Sequence, residues 1–332
     1  MGSTMNKFQK CGLLTLCISS AMPVSAMQAL EESDLSKATA QDGVNIGLYF
    51  PNGNIAYDTI ALIDKDGISG STTHSNPASI VIASDLTASE RGVSLQKADG
   101  SASVGGIHVA IDSDGNSGEP VANINISMPV DAPLIHINPM SVYLSPGADG
   151  LYQSGVVKST ATKILSIGNK GLDILFKSND TLGMNVQFGN STQGHMFKVT
   201  SGSLVCIANN AMCVTGSADD GSDPIRIYDK SGSSISFGFK LSAANQSTGV
   251  RLYEHTDNGG FGGVYGDIVN SGLIFGAEGK MDKFDLTLSN VTMGEAGVQG
   301  ASTFDNFKNG SIGNIGMKGV AITDFKTTVR GL

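Results

Sequence analysis

The chain has 332 residues, no tryptophan, 43 glycines and only 15% charged residues. Its 30 Asp and Glu outnumber 21 Lys and Arg, a formal charge of −9. Such an acidic balance argues against nucleic acid and anionic membrane surfaces as partners, because both recruit Lys and Arg.

The first predicted element is a secretory signal. Asn6, Lys7 and Lys10 form a basic start, and Cys11 to Met22 is an apolar run. That run is shorter than the about 20 residues a bilayer-spanning helix needs. Pro23 and the small-residue pattern Val24-Ser25-Ala26 predict a signal peptide over 1–26, cleaved between Ala26 and Met27. Residues 1–4 read as an extension ahead of Met5. A lipid-accepting role for Cys17 calls for a small residue before it, where Leu16 stands. Losing Lys7 and Lys10 leaves 19 basic residues against 30 acidic ones, a formal −11. No later segment reaches 18 uncharged apolar residues, so no membrane-spanning helix is expected in the mature chain. The expected location is periplasm, cell surface or medium.

Residues 27–43 follow as a short acidic helix. Met27, Leu30, Leu35 and Ala38 can share one side. Glu31, Glu32 and Asp34 lie where the helix dipole favours acids, Lys37 lies near the end, and Gln41-Asp42-Gly43 offers a stop. A helix this short is marginal alone in water. It is a docking element, a leader that secretion machinery reads, or N-terminal padding. The stretch MQALEESDLSKATAQDGVNI, Met27 to Ile46, resembles the start of Fil-type pilus assembly proteins of Gram-negative bacteria. In that group an acidic segment ending in TGQDG precedes a Gly-rich β region. Here Ala40 stands where the pattern has Gly, and the likeness extends loosely to Ile60–Gly70. The resemblance implies an exported surface or pilus-associated protein with no enzyme activity attributed.

Beyond Gly43 the apolar period is two. Ile124, Ile126 and Met128 alternate with Asn125 and Ser127. The same pattern recurs at Leu182–Phe188, Ile235–Leu241 and Phe284–Leu288. Period two puts each apolar set on one face of a strand. Burying four such side chains contributes roughly 6–12 kcal/mol before entropy is charged against it. The turns DKDG (64–67), SDG (113–115) and GNKG (168–171) punctuate the strands. The expected fold is all-β: layered antiparallel sheets, as a sandwich or prism-like, behind the short N-terminal helix. Seven of the prolines lie between Pro51 and Pro146, and only Pro224 lies beyond. This divides the body into a Pro-containing β region (44–146) and a Gly-rich one (147–332). An outer-membrane barrel fits exported strands, but such barrels carry aromatic girdles; here aromatics are 6%.

Motifs for chemistry are sparse. GNSGEP (115–120) resembles the nucleophile loop of chymotrypsin-like proteases, with Ser117 as nucleophile, but Glu119 replaces a Gly. Only His74 and His108 precede it as a base. Asp112, Asp114, Asn116 and Glu119 offer alternating oxygens, a candidate structural calcium loop whose default alternative is a solvated turn. Asp64 and Asp66 make a weaker DxDG. The histidines at 74, 108, 136, 195 and 255 have no zinc spacing, and no phosphate-binding glycine loop follows a strand. No cofactor is expected.

Cys206 and Cys213 are equidistant from Asn209-Asn210. A hairpin turning there places the sulfurs face to face, and in an oxidising compartment the pair is expected as a disulfide. Near the C-terminus Gly294, Gly297 and Gly300, then Gly310, Gly313, Gly316 and Gly319, recur every third residue. Gly-rich turns between short strands are the favoured reading over packed polyproline-II segments. The sequence therefore points to an exported, non-enzymatic β protein acting through sheet surfaces and strand edges. Its expected partners are pilus or envelope proteins, including further copies of itself. A secreted carbohydrate- or ligand-binding module is the alternative.

Overall fold

The computed structural model describes residues 43–50, 54–57, 59–83, 92–103, 105–115, 118–147, 152–153, 156–157, 160–209, 213, 224–229, 232–294 and 310–330. The expected signal peptide over 1–26 and, apart from Gly43, the expected helix over 27–43 lie outside these residues. Val44–Leu332 forms one compact unit.

In chain order the strands begin with β1 (Val44–Tyr49), β2 (Asn54–Ile55), β3 (Thr59–Asp64), β4 (Ala78–Ala83), β5 (Val93–Gln96) and β6 (Gly106–Asp114). Then come β7 (Val121–Ser127), β8 (Leu134–Ile137), β9 (Ser141–Pro146), β10 (Tyr152–Gln153), β11 (Val156–Val157) and β12 (Thr162–Ser166). They continue with β13 (Leu172–Phe176), β14 (Gly183–Gly189), β15 (Phe197–Ser201), β16 (Ser203–Ala208), β17 (Ile225–Tyr228) and β18 (Ser234–Ala243). The last are β19 (Val250–Arg251), β20 (Phe261–Val269), β21 (Gly272–Lys280), β22 (Phe284–Met293), β23 (Ser311–Val320) and β24 (Thr323–Val329). The fold is all-β in layered antiparallel sheets, one of them curled into a half-barrel, as the period-two pattern predicts.

One sheet has eight strands in the order β1-β6-β7-β14-β15-β20-β21-β24. The other has fourteen and forks at β18. Along one edge of β18, Lys240–Ser242 pair with β16, while Ser234–Phe237 pair with β17. The opposite edge pairs throughout with β22, which carries β23. One arm runs β16-β13-β8-β5-β2 and the other β17-β12-β9-β4-β3. Both sheets draw strands from either side of Pro146.

The fork has a specific solution. Where β18 changes partner, Phe239 faces neither strand. The fully buried Asn209 fills the gap: its backbone N–H donates to the Phe239 carbonyl (3.2 Å), and its Oδ1 accepts the Phe239 N–H (2.6 Å). A side-chain amide here replaces a strand, because a buried backbone group left unpaired is costly. Residues 210–212 of the expected hairpin lie outside the described residues, but the ladder does not set Cys206 and Cys213 face to face across paired strands. Cys206 is flanked in the ladder by Leu175 of β13 and Ser242 of β18, and Cys213 is not its cross-strand neighbour. The Cys206–Cys213 disulfide nevertheless forms, tying the end of β16 to the segment beyond it.

Carboxylates pin two of the passages between sheets. Gly202 joins β15 to β16 with φ 122°, a conformation a side chain would strain, and a Cβ there would lie 3.2 Å from the Leu182 Cα. Asp180 holds this junction, accepting from the Gly202 N–H (3.0 Å) and the Ser203 hydroxyl. Between β21 and β22, Asp282 is 6% exposed and takes both prongs of Arg251, from Nε (2.8 Å) and Nη2 (3.1 Å). Arg251 also reaches Asp257 (2.6 Å) in a 3-10 turn over Asp257–Gly259.

Burial departs from expectation. The alternating sets do share faces, but small or polar neighbours are often the buried ones. Ser79, Ser141, Ser145, Asn185, Ser203 and Ser236 are buried, while Ile80, Leu144 and Ile235 are exposed. The cores are local: Phe176, Leu204, Ala243 and Val250; Val81, Ala83 and Tyr143; and Leu95, Met128 and Ala132. The expected burial of each alternating apolar set therefore overstates the stabilisation. The glycine triplets at 310–319 also differ from expectation. Gly313, Gly316 and Gly319 lie within one strand, β23, whose pairing with β22 shifts register three times, and Gly310 immediately precedes it.

Candidate interaction surface

Register fixes which residues share a face, because directly paired residues point the same way. In the eight-stranded sheet, Val44, Ile46 and Leu48 of β1 oppose Ile111, Val109 and Ile107 of β6. Those continue into Ile124 and Ile126 of β7, then Val186 and Met184 of β14. Phe197 and Val199 of β15 follow, then Phe275 and Ala277 of β21 by way of Gly266 and Val264 of β20. Thr327 and Phe325 of β24 close the rows, with Val329 beside Leu273. No charged residue stands in these rows.

Of these side chains, only Ile107 packs against a described core cluster. Val199 and Ala277 are buried, most of the others are half-buried, and the outer ones are open, with Val44 56% and Val329 54% exposed. Contiguous apolar surface of this kind marks an interaction site. The larger sheet carries a second such row. Ile60, Ile82, Val142, Leu165, Ile227, Ile235 and Met293 lie in register across seven strands. Next to it a groove of about 730 Å³ is lined by Leu62, Ile68, Ile80, Leu144 and Pro146.

The other face of the eight-stranded sheet is polar. Asn185 Nδ2 donates to Asn123 Oδ1 and Asn125 Oδ1, both at 2.6 Å, and Gln187 Nε2 donates to Asn123 Oδ1 (3.2 Å). Buried Asn185 leaves its own Oδ1 without a partner. Beside this ladder, His195 Nδ1 meets Asp267 Oδ2 at 2.8 Å, and the imidazole stacks on Tyr265 with ring centres 3.7 Å apart. Burial, then the Glu278 and Asp267 charges, push the Tyr265 phenol above its ordinary value. Asp267 also accepts the Met196 N–H (2.8 Å), so the cluster fastens the turn before β15 to β20.

The sequence candidates are scattered. Asp112 accepts the Ser113 N–H (2.8 Å) and Glu119 accepts from Asn190 (2.8 Å); Asp114 is at the end of β6. Asn116 and Ser117 lie outside the described residues. Among the described residues no three His, Cys, Asp or Glu side chains converge as metal ligands. Asp64 instead accepts the backbone N–H groups of Asp66 and Gly67, both at 3.2 Å, closing its own turn. His108 lies on β6 with its ring edge-on to Tyr49, and His74 lies in the turn after β3. His136 pairs with buried Asp173 (2.6 Å) across β8 and β13. His255 lies 3.5 Å from Asp282.

Composition and period foretold the sheets but not the uncovered apolar faces, which show only when register is followed across many strands. No described helix is long and apolar enough to cross a membrane. Set against family models, curated proteins and solved structures, the chain matches none of them.

Proposed function

We propose that this chain is an exported, non-enzymatic protein of the Gram-negative cell surface, acting in a pilus or adhesive fibre through its sheet faces and strand edges. The observation that carries this is the charge-free apolar face running from β1 to β24, ending at both sides in exposed strands. Solvated apolar area on this scale favours association, and an open strand edge offers N–H and C=O groups for β-addition. The resemblance of Met27–Ile46 to Fil-type pilus assembly proteins supports the same reading. The test is immunogold labelling of intact cells, with sheared filaments probed in parallel. Label along filaments is the expected outcome; label confined to the cytoplasm overturns the proposal.

A second reading rests on the amide ladder. Asn123, Asn125, Asn185 and Gln187 on one face suit a hydroxyl-rich ligand such as a carbohydrate. Specific retention on a glycan array by a monodisperse monomer favours this reading over assembly.

A further inference from the structure

We infer that copies of this chain join head to tail, the outer edge of β24 in one copy pairing with the outer edge of β1 in the next. This rests on the reading of the chain as an assembling surface protein and names the junction that such assembly uses.

The argument starts from strand count. All seven neighbouring pairs in the eight-stranded sheet are antiparallel. With an even number of strands, β1 and β24 run in opposite directions. A second copy set alongside in the same orientation therefore meets the first with an antiparallel pair. Among the described residues neither edge has an outer partner. Both strands are exposed along their whole length.

Hydrogen-bond phase agrees. In an antiparallel ladder alternate residues bond inward, and the rest present N–H and C=O outward. The Leu48 carbonyl turns inward toward Gly106, and those of Phe325 and Val329 turn inward toward Gly276 and Gly272. Asn45, Gly47 and Tyr49 thus face out from β1, and Lys326 and Thr328 from β24. Asp324, at φ 49° with its carboxylate on the Gly279 N–H (2.8 Å), ends the regular edge.

Two registers overlap all six residues of β1 with β24. One sets Thr328 against Val44 and fails, because it places outward residues opposite inward ones and apolar residues on the polar face. The other pairs Val44 with Val329, Asn45 with Thr328, Ile46 with Thr327, Gly47 with Lys326 and Leu48 with Phe325. It joins the outward groups in two closely spaced sets and continues the apolar face unbroken into the next copy. On the polar side, the space a Gly47 side chain would fill is taken by the Tyr49 ring, which is 66% exposed. Lys326 arrives opposite Gly47, against that ring, where a cation is attracted to the aromatic face. Strand edges are commonly guarded by proline, bulges or charge; VNIGLY of β1 has none of these. A contact between two different surfaces that does not close on itself builds an open fibre.

The test uses the full chain expressed and exported by its host, with single cysteines introduced. Ile46→Cys and Thr327→Cys fall on a directly opposed, non-hydrogen-bonded pair, where a disulfide has the reach to form. Oxidising cells that carry both single variants should give a mixed dimer on a non-reducing gel, and the double variant a ladder of multimers. Ile46→Cys with Thr328→Cys, on opposite faces, should give at least fivefold less. Linking of Ile46→Cys to itself in preference, or no ladder, overturns the junction. Asn45→Pro removes only an outward N–H, so it should keep the native circular-dichroism spectrum and abolish multimers; multimers unchanged in Asn45→Pro also overturn it. Filaments labelled without the ladder sink this junction alone. Chain absent from every surface filament sinks the functional proposal beneath it.

Discussion

The two large sheets are built from the same kind of strand but end differently. The fourteen-stranded sheet forks, and three of its four ends are defended. β2 and β19, which pairs with β16, are only two residues long, and β23 shifts register three times against β22. Its fourth end, β3, is regular and leads into the closed turn around Asp64. The eight-stranded sheet is an unbranched path whose ends are β1, in unbroken register with β6, and β24, regular from Phe325 to Val329. The difference teaches that edge protection in this molecule is selective. Where pairing with another chain does harm, edges are short or bulged; the eight-stranded sheet keeps β1 straight and leaves β24 straight beyond Asp324.

The comparison breaks most severely at the passage both sheets share. Arg251→Met takes the guanidinium away from buried Asp282, and loss of one member of a buried pair costs about 3–5 kcal/mol. Urea unfolding should show a lower midpoint by both sheet-wide and local probes. The pH dependence follows from the same pair. Burial raises the Asp282 carboxyl pKa, but the Arg251 hydrogen bonds more than reverse this, so it lies below the ordinary value. A depressed folded pKa adds stability above the unfolded value, and that stability is lost as pH falls through the folded one. The native protein should therefore lose stability on acidification below about pH 4 more steeply than Arg251→Met does, as read by midpoints across a pH series.

The next largest effect separates the sheets. Asn209→Ala strips the fork of its amide and leaves the Phe239 N–H unpaired, at roughly 1–3 kcal/mol. Hydrogen exchange should speed up in β16, β17 and β18 and stay unchanged in β6 and β7. Cys206→Ser opens a short loop in the same arm and should cost about 2–3 kcal/mol, seen as a lower thermal midpoint. The smallest effect falls on the unbranched sheet. Lys198→Met removes an ion pair to Glu254, whose side chain is 67% exposed. Screening holds such a contact to under about 0.5 kcal/mol, so unfolding midpoints should scarcely move.

Sequence reasoning found the strands because alternation is local: Ile124–Met128 and Ile235–Leu241 each declare a strand within a few residues. It found the disulfide because only two cysteines, Cys206 and Cys213, follow the expected signal peptide. It did not find which face is buried. Period two orders side chains into two sets, and tertiary packing decides that Ser236 goes inside and Ile235 stays out. Asparagine suits turns, so a local window reads Asn209 as a turn residue; its position at a fork depends on β17 and β18, both later in the chain. The match of β1 to β24 depends on adding seven registers end to end, and no local window contains that information.

The fork also sets a sequence of events for the nascent chain. β17 and β18 are joined by a short turn and meet early, as do β6 with β7 and β20 with β21. β16 must then find the remaining half of the β18 edge across a separation of some thirty residues, with Asn209 arriving at Phe239 in the same step. Until that closure, β18 stands half open in a chain rich in uncovered isoleucine, and the interval before closure is when this molecule is most exposed to pairing with the wrong neighbour.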